Sequence, residues 1–84
     1  TEMQTIQEDG EIDRLRKAIE EDNRIVELRQ RVRKAAESQL VNGVIDTTDL
    51  LRKITDETTA NLNRSTHEIE LLQAIYKLKT TLNQ

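Results

Sequence analysis

Residues 36–51 read AESQLVNGVIDTTDLL, and this stretch decides the fold. Asn42-Gly43 is suited to end a helix, because glycine reaches the left-handed conformation of a C-terminal cap without a clash at Cβ. Asp46 is suited to begin the next helix, since its carboxylate can accept from the first-turn amides, and Asp49 three residues later gives the pattern of a capping box. A loop of about four residues, 42–45, is short enough to force the two helices to run antiparallel.

Apolar residues recur at helical spacing on both sides of this turn. The row before the turn contains Ile12, Leu15, Ile19, Leu28, Val32, Ala35 and Leu40. The row after it contains Leu51, Ile54, Thr58, Leu62, Ile69, Leu72 and Tyr76, and an adjoining row contains Leu71, Ile75, Leu78 and Leu82. Steps of mostly three and four residues predict helices, and the strict alternation that is typical of strands does not occur.

The register of these rows does not follow a clean heptad. Asp22, Arg29 and Ser65 occupy positions where a strict coiled-coil seam requires an aliphatic residue. This irregularity predicts a broad packing face that meets more than one neighbouring helix, as in a multi-helix bundle or barrel.

The predicted fold class is therefore all-α, with one long antiparallel helical hairpin that resembles a coiled coil. We expect an irregular start over residues 1–10 and a single hairpin over 11–84, with a helix at 11–41, the turn at 42–45 and a helix at 46–82. Acidic residues at the start of each helix and basic residues near each end suit the helix dipoles. Two such rods leave outer apolar rows uncovered, so we expect self-association, and we expect the chain to be a piece of a larger protein.

The composition excludes several classes of function. The 84 residues include 35% apolar and 35% charged residues, Tyr76 is the only aromatic residue, and the formal net charge is −3. Because this balance is mildly acidic, a general affinity for nucleic acid or anionic membranes is not expected. The chain has no cysteine, which excludes disulfides and thiolate metal sites. No apolar run reaches the length that a membrane-spanning helix needs.

The sequence offers no catalytic constellation. Neither a glycine-rich phosphate loop nor a serine or cysteine nucleophile pattern occurs. His67 is the only histidine, and a metal site needs three or four convergent ligands, so we expect a solvated imidazole on a polar helix face. The basic residues within 29–34 lie near the end of the first helix, where the dipole accounts for them. We therefore expect no enzyme activity, no cofactor and no metal.

Two segments resemble one protein family. Residues 36–51 resemble the second hairpin tip of TolC-type outer-membrane efflux proteins. Residues 67–76, which read HEIELLQAIY, resemble the C-terminal helix of that family. The resemblance rests on the order of the two segments and on the spacing between Gly43 and Asp49.

The resemblance implies a trimeric parent protein with a β-barrel in the outer membrane of a Gram-negative cell and a long helical tunnel in the periplasm. Each protomer of such a protein contributes two helical hairpins to the tunnel wall, and this chain would be the lower part of the second. The hairpin tips form the periplasmic entrance. There a periplasmic adaptor docks and links the duct to an inner-membrane pump that exports small molecules.

The residues of the turn carry the implied sites. The adaptor-docking tip would consist of Asn42, Gly43, Val44 and Ile45. A helix cap alone also accounts for Gly43. Asp49 matches an acid that faces the lumen near the entrance in some relatives, and its alternative role is that of a capping-box acid. Where some relatives carry a second acid this chain has Arg52, so an Asp49–Arg52 ion pair is the alternative to an acidic ring.

Two further functions stay open when the residues are read without the family. The apolar rows also suit a generic coiled-coil oligomerisation module of a larger assembly. A nucleic-acid-binding helical hairpin is the third possibility, and it would show steeply salt-dependent binding.

Overall fold

The computed structural model describes residues 1–83 and contains two long helices, α1 (Glu2–Val41) and α2 (Thr47–Leu82). The pair forms a thin rod whose Cα atoms extend over 62 × 14 × 12 Å. Contacts across the rod join Glu8 to Thr81 at the open end and Arg33 to Glu57 nearer the turn, so the helices run antiparallel. The prediction of an all-α fold is confirmed.

The expected irregular start over residues 1–10 is wrong, because α1 already begins at Glu2. Thr1 caps this helix, and its hydroxyl oxygen accepts a hydrogen bond of 3.3 Å from the amide of Gln4. Gly10 lies inside the helix, where a glycine costs roughly 1 kcal/mol relative to alanine. That cost does not end the helix, because Glu8 is buried against α2 and the first turn is capped.

The two helices meet along one continuous contact seam, whose positions recur at alternating steps of three and four residues. In α1 the seam consists of Thr5, Glu8, Ile12, Leu15, Ile19, Asp22, Val26, Arg29, Arg33, Ala36 and Leu40. In α2 it consists of Leu50, Lys53, Glu57, Ala60, Arg64, His67, Leu71, Ala74, Leu78 and Thr81. All these residues except Arg29 are buried or half-buried. A period of 3.5 residues that keeps one face on the partner helix is the heptad geometry of a coiled coil.

The predicted irregular register is therefore wrong for this seam. The positions follow the heptad, but polar side chains fill many of them, so apolarity alone does not trace the contact face. Asp22 and Arg29 do lie in the seam, whereas Ser65 is exposed and lies outside it. Leu28 and Ala35, expected on the packing face of the first helix, are also exposed.

The apolar core is short and lies towards the open end of the hairpin. Ile12, Leu15 and Ala74 form its buried cluster, and Leu71 and Leu78 pack against them. Leu15 is completely buried. Nearer the turn the buried apolar side chains are the small ones of alanine residues at 36 and 60, so little apolar area is covered there.

Polar pairs fill the rest of the seam. Asp22 Oδ2 lies 2.5 Å from His67 Nδ1, and the Arg33 guanidinium binds both carboxylate oxygens of Glu57. Glu8 Oε1 accepts a hydrogen bond of 3.1 Å from the Thr81 hydroxyl, while Glu8 Oε2 is buried without a hydrogen-bond partner among residues 1–83. Specific polar contacts as well as apolar burial thus join the two helices.

The longest apolar row of α2 faces outward. Leu51, Leu62, Ile69, Leu72 and Tyr76 are each more than half exposed, and Ile54 is exposed as well. The adjoining row, with Leu71 and Leu78, forms the face that α2 turns towards α1. Both rows have helical spacing, and only the register with α1 decides which of them becomes buried.

Within residues 1–83, neither helix carries an apolar stretch of the length and character that a bilayer crossing requires.

Candidate functional site: the hairpin tip and the outer row of α2

The tip begins with a closed C-terminal cap on α1. Gly43 adopts φ +73°, and its amide donates to the Leu40 carbonyl at 3.0 Å. The amide of Val44 reaches back to the Gln39 carbonyl at 2.8 Å. These two hydrogen bonds form a Schellman motif with Gly43 at the left-handed position. They satisfy carbonyls that the end of a helix otherwise leaves unpaired.

A complete capping box begins α2. The Asp46 carboxylate accepts a hydrogen bond of 2.8 Å from the Asp49 amide, and the Asp49 carboxylate accepts one of 3.3 Å from the Asp46 amide. Asp46 itself is extended, with φ −97° and ψ 176°, so it directs the chain sharply into the new helix. The caps predicted at Gly43 and Asp46 are thus present in the structure.

Asp49 and Arg52, the lumen candidates, are not brought together as a pair. The Asp49 carboxylate is engaged in the capping box, and its side chain is half-buried at the base of the tip. Arg52 is exposed one turn further along α2, and no Asp49–Arg52 ion pair forms in the part of the chain that the structure describes. Arg52 therefore presents its charge to the solvent.

The surface of the tip is small and apolar. Val41 is 86% exposed and Val44 is 69% exposed, on either side of the Asn42-Gly43 turn. No atom lies within 4 Å of a Cβ built on Gly43, so the glycine leaves open space at the surface. Ile45, the fourth residue of the predicted docking tip, is half-buried and contributes less to this surface. Two exposed valines beside a bare backbone form a surface onto which another helix could pack.

The second candidate surface is the outer row of α2, which consists of Leu51, Ile54, Thr58, Leu62, Ser65, Ile69, Leu72 and Tyr76, all exposed. From residue 51 to residue 76 the row is roughly 38 Å long at 1.5 Å per residue. Exposed apolar side chains scattered singly are ordinary, but six of them in one row, interrupted only by Thr58 and Ser65, mark an interaction surface.

The outward face of α1 differs in character. It carries ion pairs along the helix, among them Lys17–Asp13 at 3.1 Å and Arg31–Glu27 at 2.6 Å. Leu28 is exposed there with Ile25 and Ala35 at helical spacing, but this apolar patch is shorter than the outer row of α2. The longer exposed apolar surface is on α2, and a partner is expected there.

His67 is not the solvated side chain that the sequence predicts. Its Nδ1 contacts Asp22 across the seam, and the two side chains are 32% and 11% exposed. Next to this pair, Arg64 Nη1 donates to Asn23 Oδ1 at 3.3 Å. Asp22 and His67 lie 45 residues apart, and only the exact pairing of the two helices reveals their contact. In the sequence, the only sign of this contact is that the polar Asp22 interrupts the apolar row of the first helix.

Arg33 is the centre of the polar contacts near the turn. It donates to Glu57 on α2, and its Nη1 donates to Glu37 on α1 at 2.7 Å. The hydrogen bond to Glu57, followed by that to Glu37, raises the pKa of Arg33 above its ordinary value. The guanidinium therefore stays charged and fixes the axial register of the two helices. These residues build the hairpin and do not form a reactive centre.

Among residues 1–83 no group of three or more histidine, cysteine or acidic side chains is placed to hold a metal ion. Comparison of the chain with protein-family models, with curated proteins and with solved structures found no match.

Proposed function

We propose that the chain is a periplasmic tunnel-wall hairpin of a TolC-like outer-membrane efflux channel, and that its tip docks a periplasmic adaptor for the export of small molecules. The observation that carries this proposal is the exposed outer row of α2, which leaves the hairpin incomplete as a packed unit. The resemblance of residues 36–51 and 67–76 to that family is the reason why the proposal names an efflux channel.

In a wall of helices that run alternately up and down, each helix must contact a neighbouring helix on both sides. α2 meets this requirement, because its seam covers one side with α1 and its outer row offers an apolar surface on the other. The polar seam also suits such a wall, since ion pairs and hydrogen bonds fix register along a rod that buries few large side chains. In the assembled conduit, the outer row of α2 would lie against a helix of another hairpin.

The tip supports the docking role through its shape and chemistry. Gly43 keeps the surface open, and Val41 and Val44 offer apolar contacts on either side. The caps at both helix ends make the turn a fixed structure, so a partner would not have to order it on binding.

Site-specific photo-crosslinking in the full-length parent protein tests the docking role. A crosslinker at Val44 should capture a periplasmic adaptor, because this side chain is exposed at the tip. The matched control is a crosslinker at Leu28, which is also exposed and apolar but lies on α1 away from the turn. Capture from Leu28 and not from Val44 would refute the docking role.

A generic coiled-coil oligomerisation module is the second candidate, and the outer row favours it without reference to the tip. The parent reading frame separates the two. A secretory signal and flanking β-hairpin segments support the conduit, whereas a cytoplasmic reading frame without them supports the oligomerisation module.

A further inference from the structure

The turn contains a pair of residues that can react with each other. Asn42 is the only asparagine in the chain that is followed by a glycine. In such a pair the main-chain nitrogen of the glycine can attack the side-chain carbonyl carbon of the asparagine, because glycine has no Cβ to obstruct the approach. Asn42 and Gly43 are both exposed, so water and hydroxide reach them. Residues with long side chains follow the other asparagines, at 23, 61, 63 and 83.

The reaction passes through a five-membered imide ring. The Gly43 nitrogen gives its proton to a base and forms a bond to Asn42 Cγ, while Nδ2 breaks its bond to Cγ, takes up a proton and leaves as ammonia. Water then opens the ring at one of its two carbonyl carbons. Addition at Cγ gives aspartate, and addition at the main-chain carbonyl carbon gives isoaspartate, in which the main chain runs through Cγ. The net reaction consumes only water and replaces an NH2 group with OH.

The folded tip does not have the geometry that this reaction needs. Ring closure requires Asn42 Cβ and the Gly43 nitrogen to eclipse each other about the Cα–C bond of Asn42. At the observed ψ of 3° the main-chain nitrogens of the two residues are eclipsed instead, so Cβ points away from the nucleophile. The Gly43 amide also donates its proton to the Leu40 carbonyl at 3.0 Å. Rotation about ψ of Asn42 would break this hydrogen bond and the one from Val44 to Gln39.

We propose that Asn42 is a site of spontaneous deamidation that is gated by the C-terminal cap of α1, so that the closed cap suppresses the reaction and opening of the cap permits it. The capping box of Asp46 and Asp49 contributes to the gate, because it holds the far end of the turn in place. A rotation at Asn42 must move residues 43–45 against this fixed point. The inference does not depend on the efflux role.

Deamidation would remove the cap that suppresses it. In isoaspartate the main chain gains one carbon atom at residue 42, so the amides of Gly43 and Val44 lose the spacing that pairs them with carbonyls of α1. Both products also place a carboxylate at the C-terminal end of α1, where the helix dipole disfavours negative charge. The reaction therefore converts a fixed tip into an open one, and the loss of ammonia makes this change irreversible.

The rates of deamidation in the folded and the unfolded chain provide the first test. The wild-type chain is kept in a mildly alkaline buffer, with and without enough urea to unfold it, and the peptide that contains residue 42 is followed by mass spectrometry. We expect conversion in both samples, at least about tenfold slower in the folded one, which corresponds to about 1.4 kcal/mol for opening the cap. Equal rates overturn the gate, and an unfolded chain that keeps its amide at Asn42 overturns the site.

Asp46→Ala tests the gate without changing the reacting pair. It removes the carboxylate that accepts from the Asp49 amide. We expect deamidation of the folded chain to become about three- to tenfold faster, because loss of such a cap favours opening by about that factor. Thr1→Ala removes a cap of the same kind at the open end of α1 and should leave the rate unchanged. Circular dichroism shows whether both variants remain helical. Equal rates in the two variants, or no conversion in either, overturn the proposal.

The stability of the converted chain tests the consequence. Deamidation adds a negative charge, so anion-exchange chromatography separates the product from the wild-type chain. We expect the isoaspartate product to unfold at a lower temperature than the wild type. Asn42→Asp is the matched control, because it adds the same charge without the additional main-chain atom, and it should lose less stability. An isoaspartate product that unfolds at the wild-type temperature would show that the cap survives, and it would overturn the proposed consequence.

Discussion

Arg33 and Glu57 are 24 residues apart in the sequence but form two parallel hydrogen bonds across the hairpin, from Arg33 Nε to the two carboxylate oxygens at 3.0 and 2.9 Å. Both side chains are about four-fifths covered. Because Arg33 lies on α1 and Glu57 on α2, this contact fixes how far one helix is shifted along the other. It has the role in this hairpin that an apolar layer has in an ordinary coiled coil.

Glu57→Gln should therefore lower the thermal unfolding midpoint of the hairpin, because it removes the charge that Arg33 faces from α2. Glu27→Gln is the matched control, since Glu27 pairs with Arg31 on the exposed surface of one helix, and such pairs contribute little. Because the pKa of Arg33 is raised, its contribution to the stability of the hairpin is fully present at acidic and neutral pH. That contribution is lost only as the pH rises through the raised pKa. Thermal melts followed by circular dichroism would measure both variants. Equal effects of the two substitutions would contradict a register role for Glu57.

A single and a double substitution at the Asp22–His67 pair should change the stability of the hairpin in opposite directions. His67→Leu should cost about 1–3 kcal/mol, because it leaves the nearly buried Asp22 carboxylate without its partner. Asp22→Leu together with His67→Leu should instead stabilise the hairpin by about 1–4 kcal/mol, because an apolar pair replaces a polar one in the seam. Urea titrations of the wild-type chain and the two variants would measure this. If the double variant proved less stable than the wild type, the pair would have to contribute more than its desolvation costs.

The turn could be predicted from the sequence because its chemistry is local. Gly43 is required by a positive φ, and Asp46 and Asp49 satisfy each other's amides across three residues. Neither requirement depends on where the second helix lies. Residues close in sequence thus determine the ends of the helices at the tip, whatever the rest of the chain does.

The contact seam could not be predicted in the same way. The outer row of α2 and its inner row with Leu71 and Leu78 both repeat at helical spacing, and the outer row is the more apolar of the two. What decides between them is the match of polar residues across the hairpin, such as Asp22 with His67. Such a match appears only when the register is known, and an apolar pattern does not reveal it. The beginning of α1 was missed for a related reason, since Glu8 is buried by a contact with the far end of α2.

The two glycines give matched substitutions with opposite expected effects. Gly43→Ala should destabilise the hairpin by about 1–2 kcal/mol, because alanine at φ +73° brings its Cβ close to the following carbonyl. Gly10→Ala should stabilise it by about 0.5–1 kcal/mol, since position 10 is helical and no atom lies within 4 Å of the added Cβ. Denaturant unfolding of both variants measures the difference. A gain in stability from Gly43→Ala would mean that the turn adopts another conformation.

Truncation of Leu15 in the seam and truncation of Leu62 in the outer row should have different effects on the free energy of unfolding. Leu15→Ala should cost about 2–5 kcal/mol, because Leu15 is fully buried between Ile12 and Ala74 and its truncation leaves a cavity. Leu62→Ala should change the stability of the monomer by no more than about 0.5 kcal/mol, since this side chain is 62% exposed on the hairpin. The measurement is urea unfolding at a chain concentration low enough to keep the protein monomeric. Repeating it at high concentration should leave the cost of Leu15→Ala in place and make Leu62→Ala costly as well, because the outer row is then covered by a partner. A large cost of Leu62→Ala in the monomer would mean that the two helices pack through the other face of α2.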